Sequence, residues 1–196
     1  MKTVKSTQFI PLFEPDYNEE DVKNLTGGKE EMTALEILDL DIRAGLRLWV
    51  VLREEFLDAS ILYEFICRCV EETFLLVDEP DKRSIAAITT LRKFIRKEIS
   101  ETELSEARKA AIDAENEAEF GAMKCIAWTA VAALEEKDLA GDVARFVSSL
   151  AARAATKVHL YALYYDEIEH IIHDFNKRLQ VDMLKKLLKE KKGSKK

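Results

Sequence analysis

The chain has 196 residues, 47% of them hydrophobic and 34% charged, with only 6 Gly and 3 Pro. That composition supplies one sizeable core and excludes whole-chain disorder, collagen-like repeats and low-complexity sequence. The formal net charge is −7, yet Leu184 to Lys196 hold seven Lys and one Glu, so the other 183 residues carry −13. An acidic body of this kind argues against nucleic acid as a partner, because phosphate contacts need clustered Lys and Arg.

In chain order, residues 1–30 are expected to be irregular. Pro11 and Pro15 break a helix there, Gly27-Gly28 marks a loop, and Phe9, Ile10, Leu12 and Phe13 are placed to pack on the main body or form a short strand. A first long helix is expected within Thr33 to Phe56, where Ile42, Leu46, Trp49, Val50 and Arg53 share one face. A second runs from about Asp58 to Val77, with Leu62, Phe65, Ile66, Cys69, Phe74 and Leu76 on its apolar side. Pro80 and Asp81 suit the opening turn of a third, which continues through Ile85, Ile88, Leu91, Phe94 and Ile95. Its residues 82–97 include six bases and no acid.

Ser100 and Glu103 form a capping-box pattern, so a fourth helix opens at Ser100. Residues 98–119 carry eight acids against Arg108 and Lys109, and an acidic helix therefore follows a basic one. Leu104, Ala107, Ala111, Ala114, Ala118, Gly121, Cys125, Trp128 and Ala132 make a seam in steps of three and four, at which Gly121 divides two helices. Sixteen of the 49 residues from Ala107 to Ala155 are Ala, so close helix packing is expected. Val143, Phe146, Val147 and Leu150 mark another helix. A final one carries Val158, Tyr161, Tyr165, Ile168, Ile172, Phe175 and Leu179 in the same spacing.

The expected architecture is thus a single all-α domain of six or seven helices over residues 31–190, after an irregular segment 1–30 and before a disordered basic tail 191–196. The longest uncharged run is the ten residues Cys125 to Leu134, about half of what a membrane-spanning helix needs, so no membrane role is expected. Cys67, Cys69 and Cys125 are odd in number and do not form a CxxC pair. They are read as small buried residues in a reducing cytoplasm.

Candidate chemistry is sparse. Phosphate-loop, dinucleotide and nucleophile-elbow motifs are absent from the sequence. Glu167 and His170 form one E-x-x-H pair, but a di-iron bundle needs two. His170 and His173 with Asp166 or Glu169 have spacing for a single metal, and a metal-dependent helical enzyme using Glu167, His170 and His173 stays open as an alternative. The preferred reading has no cofactor and no catalytic residue. Glu103, Glu106, Asp113 and Glu117 form an acidic stripe opposite the small-residue seam, suited to steering a basic protein partner. Tyr164 falls off the apolar stripe of the last helix and is assigned to the same partner-binding role, whereas Tyr161 and Tyr165 are expected in the core.

The segment Leu62 to Val77 leads into Glu79-Pro-Asp-Lys-Arg-Ser-Ile-Ala-Ala-Ile88, then Phe94-Ile-Arg-Lys-Glu-Ile-Ser100 and Ala-rich helices. This order resembles the all-helical immunity proteins of bacterial polymorphic toxin systems, the fifth numbered immunity family. Cys69, Pro80, Asp81, Arg83, Ala87 and Ile88 match its pattern, and residues 60–155 carry the resemblance. Ser84, Phe94 and Lys97 depart from it. The resemblance implies a non-enzymatic inhibitor that binds and neutralises a cognate protein toxin, with Cys69, Pro80, Asp81 and Arg83 in structural roles. A helical scaffold or homo-oligomerisation module without a toxin partner is the other alternative.

Overall fold

A computed structural model describes residues 2–118, 122–134, 140–163 and 169–193, with the backbone alone for 122, 158–163 and 169–171. Among these residues ten helices and two short strands are present, and about 75% is helical. The all-α expectation holds, with a helix count above the six or seven expected.

The N-terminal segment is ordered where irregular chain was expected. Strand β1 (Thr3–Lys5) pairs antiparallel with β2 (Glu31–Thr33) in the register Val4 to Met32. Between them lie α1 (Ser6–Phe9), a 3-10 turn (Ile10–Phe13) and α2 (Glu19–Leu25). Phe9 and Phe13 are fully buried, and each such side chain contributes about 1.5–3 kcal/mol relative to exposure. Asn18 caps α2 by accepting from the Asp21 amide at 2.9 Å. Gly27 and Gly28 turn the chain back with φ of +63° and +69°, a region open to glycine at little cost.

The helix expected within 33–56 is two helices, α3 (Ala34–Leu38) and α4 (Ala44–Val51). Thr33 and Glu36 form a capping box at the start of α3. Past its end, Arg47 Nη1 reaches back from α4 to donate to the Leu38 carbonyl at 2.9 Å. The break therefore satisfies a carbonyl that the end of α3 leaves open.

The expected second, third and fourth helices are α5 (Ala59–Phe74), α6 (Lys82–Ile95) and α7 (Glu101–Glu117). Asp81 caps α6 by accepting from the Arg83 amide at 2.7 Å. Ser100 and Glu103 close the capping box on α7. The seam continues into α8 (Ala122–Ala133), and Gly121 lies outside the described residues. Ala111, Ala114 and Ala132 are buried as the seam requires, whereas Trp128 is half-exposed and packs edge-on to Phe146. The residues of the final helix expected over 158–188 lie in α9 (Ala140–Leu163) and α10 (Glu169–Gly193), with 164–168 outside the described residues. Helix α5 packs on α6, α8, α9 and α10, and α9 packs on α8 and α10, so these two are the centre of the bundle. Among the described residues no helix is long and apolar enough to cross a membrane.

Candidate functional site

The buried face of α10 is not the one its apolar residues suggest. Phe175 and Leu179 were expected on the core stripe, yet they are 57% and 50% exposed. The inward positions are Asn176, Lys177, Gln180, Val181, Leu184, Leu187 and Leu188. Those positions follow steps of three and four set by the C-terminal half of the helix, where Val181, Leu184 and Leu188 bury. The same period carried back one turn places a lysine and a glutamine inside. Lys177 is 8% exposed, and Phe175 and Leu179, one turn apart, face outward.

Around Lys177, helices α4, α9 and α10 leave a cavity of about 600 Å3 lined by Leu48, Trp49, Leu52, Arg145, Phe146 and Lys177, among others. It adjoins a wider groove that shares Gly45, Trp49 and Lys177 and extends to Arg43, His173 and Phe175. Trp49 is 49% exposed, and the Arg53 and Arg145 guanidinium carbons sit 5.3 and 5.1 Å from its ring centroid, within cation–π range. Burial, and then the neighbouring Arg145 charge, lowers the Arg53 pKa from its usual value.

Helix α9 is fixed against the end of α4 by backbone contacts. The Gly141 amide donates to Glu54 Oε1 at 2.7 Å and Arg145 Nη1 donates to the Leu52 carbonyl at 2.6 Å. A Cβ at position 141 would lie 2.8 Å from the Leu52 carbonyl oxygen and 3.0 Å from Arg53 Cα. Glycine is required here by close approach of two backbones.

The polar cluster at the floor has a defined direction. Lys177 Nζ donates to Ser148 Oγ at 2.9 Å. Ser148 Oγ donates to Gln180 Oε1 at 2.7 Å, and Gln180 Nε2 donates to the Ser148 carbonyl at 3.0 Å. Gln180 thus holds the serine proton, and the serine oxygen accepts from the lysine. A serine nucleophile needs the opposite sense, with its proton passing to a base, so this pair is arranged to hold an amine. Burial pushes the Lys177 amine down to about 8, with only the Cys69 thiol opposing. No ion pair joins Lys177 to a carboxylate among the described residues.

The other sequence candidates fall elsewhere. Glu103 is the capping residue of α7, and the Ser100 amide and hydroxyl hold its carboxyl below the usual range. Glu117 accepts from Arg83 Nη2 at 2.7 Å and is likewise lowered. Two members of the acidic stripe are thus engaged locally, Glu103 by Ser100 and Glu117 by Arg83. Glu106 and Asp113 are exposed on the same helix. Tyr164 lies outside the described residues, as do Tyr165, Asp166 and Glu167 and the side chains of His159, Tyr161, Glu169 and His170. His173 is half-buried on the wider groove, and no group of three or more metal-ligating side chains occurs among the described residues.

Four of the six residues that carry the family resemblance, Cys69, Pro80, Asp81 and Arg83, lie at packing and capping positions. Cys69 is buried in α5 and its thiol is pushed up by burial, while Cys67 beside it is pushed up to about 12. Both stay protonated at neutral pH, so neither serves as a thiolate. Pro80 precedes the cap of α6. Asp81 both caps α6 and pairs with Arg83 Nη2 at 2.8 Å, and Arg83 extends to Glu117 on α7. Arg83 thus ties the basic α6 to the acidic α7.

Sequence reading missed Ser148, Lys177, Gln180 and the Arg-flanked Trp49. The available signal was the period of Val181, Leu184 and Leu188, which puts polar residues at core positions when extended backward. Comparison of the chain with protein-family models, with curated proteins and with solved structures finds no match.

Proposed function

We propose that the chain is an immunity protein that binds a cognate bacterial protein toxin in the cytoplasm and neutralises it by occupation, without chemistry of its own. The observation that carries this reading is the exposed Trp49 and Phe175 at the groove, with Leu179 exposed one turn beyond Phe175, together with Arg43, Arg145 and Arg178. Trp and Arg dominate binding hot spots, and apolar groups left outside a bundle mark interaction surfaces. The Ser148–Lys177 polarity supports a binding role over a hydrolytic one. The acidic body favours encounter with a basic partner, with the exposed Glu106 and Asp113 of α7 as steering charges.

The test is co-expression with the toxin encoded beside this gene. Wild-type protein is expected to restore growth. The double variant Trp49→Ala/Phe175→Ala is expected to lose protection while its circular dichroism is unchanged. Glu106→Lys/Asp113→Lys is expected to slow association at low salt only. Full protection by the folded Trp49→Ala/Phe175→Ala variant would sink the assignment of this face. A wild-type dimer that the same variant converts to monomer would instead identify the patch as an oligomer contact.

A further inference from the structure

Three charged side chains line the cavity between α4, α9 and α10: Asp142, Arg145 and Lys177. Asp142 and Arg145 are ion-paired with each other, and Arg145 also donates to the Leu52 carbonyl. Lys177 is the cation left without a carboxylate among the described residues. An ammonium has three N–H donors. One goes to Ser148 Oγ, whose own proton is held by Gln180, and no second acceptor for Nζ is found among the described residues. The remaining walls are mostly apolar, from Leu48, Trp49, Leu52 and Phe146, with Gly45, Ser148 and Ser149. The volume, about 600 Å3, is that of a small-ligand site.

We propose that this cavity binds a small organic acid, with its carboxylate on the Lys177 ammonium and its apolar body against Leu48, Trp49, Leu52 and Phe146. One unmatched positive charge with two open N–H directions fits a monoanion with two acceptor oxygens. A phosphate dianion would require a second free cation, and Arg145 is already engaged on three sides by Asp142, the Leu52 carbonyl and the Trp49 ring. The apolar walls select an acid with an aromatic or aliphatic body over acetate-sized ions. Burial without a counter-charge weakens the hold of Lys177 on its proton, and a bound carboxylate supplies the missing partner. The proposal does not rest on the toxin reading: Lys177 recognises the acid's charge and is no part of the outer patch, although Trp49 and Arg145 belong to both the patch and the cavity wall.

The experiment compares phenylacetate with its neutral isostere phenylacetamide by calorimetric titration of the full chain at neutral pH and low salt. The acid is expected to bind at least about tenfold more tightly than the amide. Lys177→Met removes that preference, and Lys177→Gln, which keeps a donor toward Ser148 without the charge, removes it as well. Trp49→Ala weakens both ligands. Equal binding of acid and amide overturns the proposal, as does an acid preference that survives in folded Lys177→Met and Lys177→Gln. Absence of saturable binding for benzoate, phenylacetate and phenylpropionate alike, up to their solubility limits, also overturns it.

Discussion

Helix α5 borders two cations, the partly buried Arg92 and the buried Lys177, that the fold treats differently. Toward α6, Arg92 donates to Glu64 at 3.2 Å and to Glu71 at 3.0 Å, and Arg68 joins Glu64 to Glu190 on α10. There the hydrogen bonds of Glu71 and the surrounding carboxylates outweigh burial, and the Arg92 pKa rises. Toward α10, Lys177 has one hydroxyl for a partner among the described residues, and burial lowers its amine to about 8. Desolvation acts on both groups, and the number of facing carboxylates decides its outcome. The α6 side is complete within the chain, whereas the α10 side is a cation in a cavity with its counter-charge still to come.

Four substitutions sharpen or break this contrast, each read by chemical denaturation. Gly141→Val drives a side chain into the Leu52 carbonyl and the Arg53 backbone beside the cleft, and it is expected to cost about 3 kcal/mol, the upper part of the overpacking range. A wild-type midpoint would show that α9 moves freely against α4. Ala111→Leu overpacks the fully buried seam position of α7 and is expected to cost about 1–3 kcal/mol. Stability unchanged in that variant would place the seam in solvent. Arg92→Ala leaves Glu64 and Glu71 without their shared guanidinium. The half-exposed Glu71 is partly screened by water, so the expected loss is about 1–2 kcal/mol.

Lys177→Met has the smallest expected effect, near zero or slightly stabilising, because it removes a buried charge that has no carboxylate partner. A loss as large as that of Arg92→Ala would erase the difference between the two sides. The same variant isolates a pH effect. The folded amine, at about 8, lies below the ordinary lysine value of 10.5, so between those values the unfolded chain binds more protons. Stability from this group therefore rises as pH increases through that window and is lowest below it. The difference between wild type and Lys177→Met is expected to carry that slope.

Much of the fold was legible in local signals. The Ser100–Glu103 capping box and the Asp81 cap mark their helices in the structure, because caps are short-range patterns that tertiary packing leaves intact. The Ala seam at Ala111 and Ala114 was legible for the same reason. The β1–β2 pair was not, since three-residue strands some thirty residues apart carry too little alternation to register. Nor was the break after Leu38, which depends on Arg47 reaching a carbonyl nine residues earlier. The candidate site was hidden by the α10 stripe itself. Ile172, Phe175 and Leu179 share a face, and only packing against α4 and α9 decides that the Lys177–Gln180 face turns inward instead.

The site and its ligand both require that Lys177 is a buried amine with no carboxylate partner among the described residues. A titration of lysine side chains by nuclear magnetic resonance, with Lys177→Met to assign the resonance, measures this directly. One lysine is expected to titrate near 8 in the wild type, to disappear in Lys177→Met, and to move upward when phenylacetate binds. A Lys177 amine titrating at or above the ordinary 10.5 would contradict it, because the cation would then have found its carboxylate within the fold.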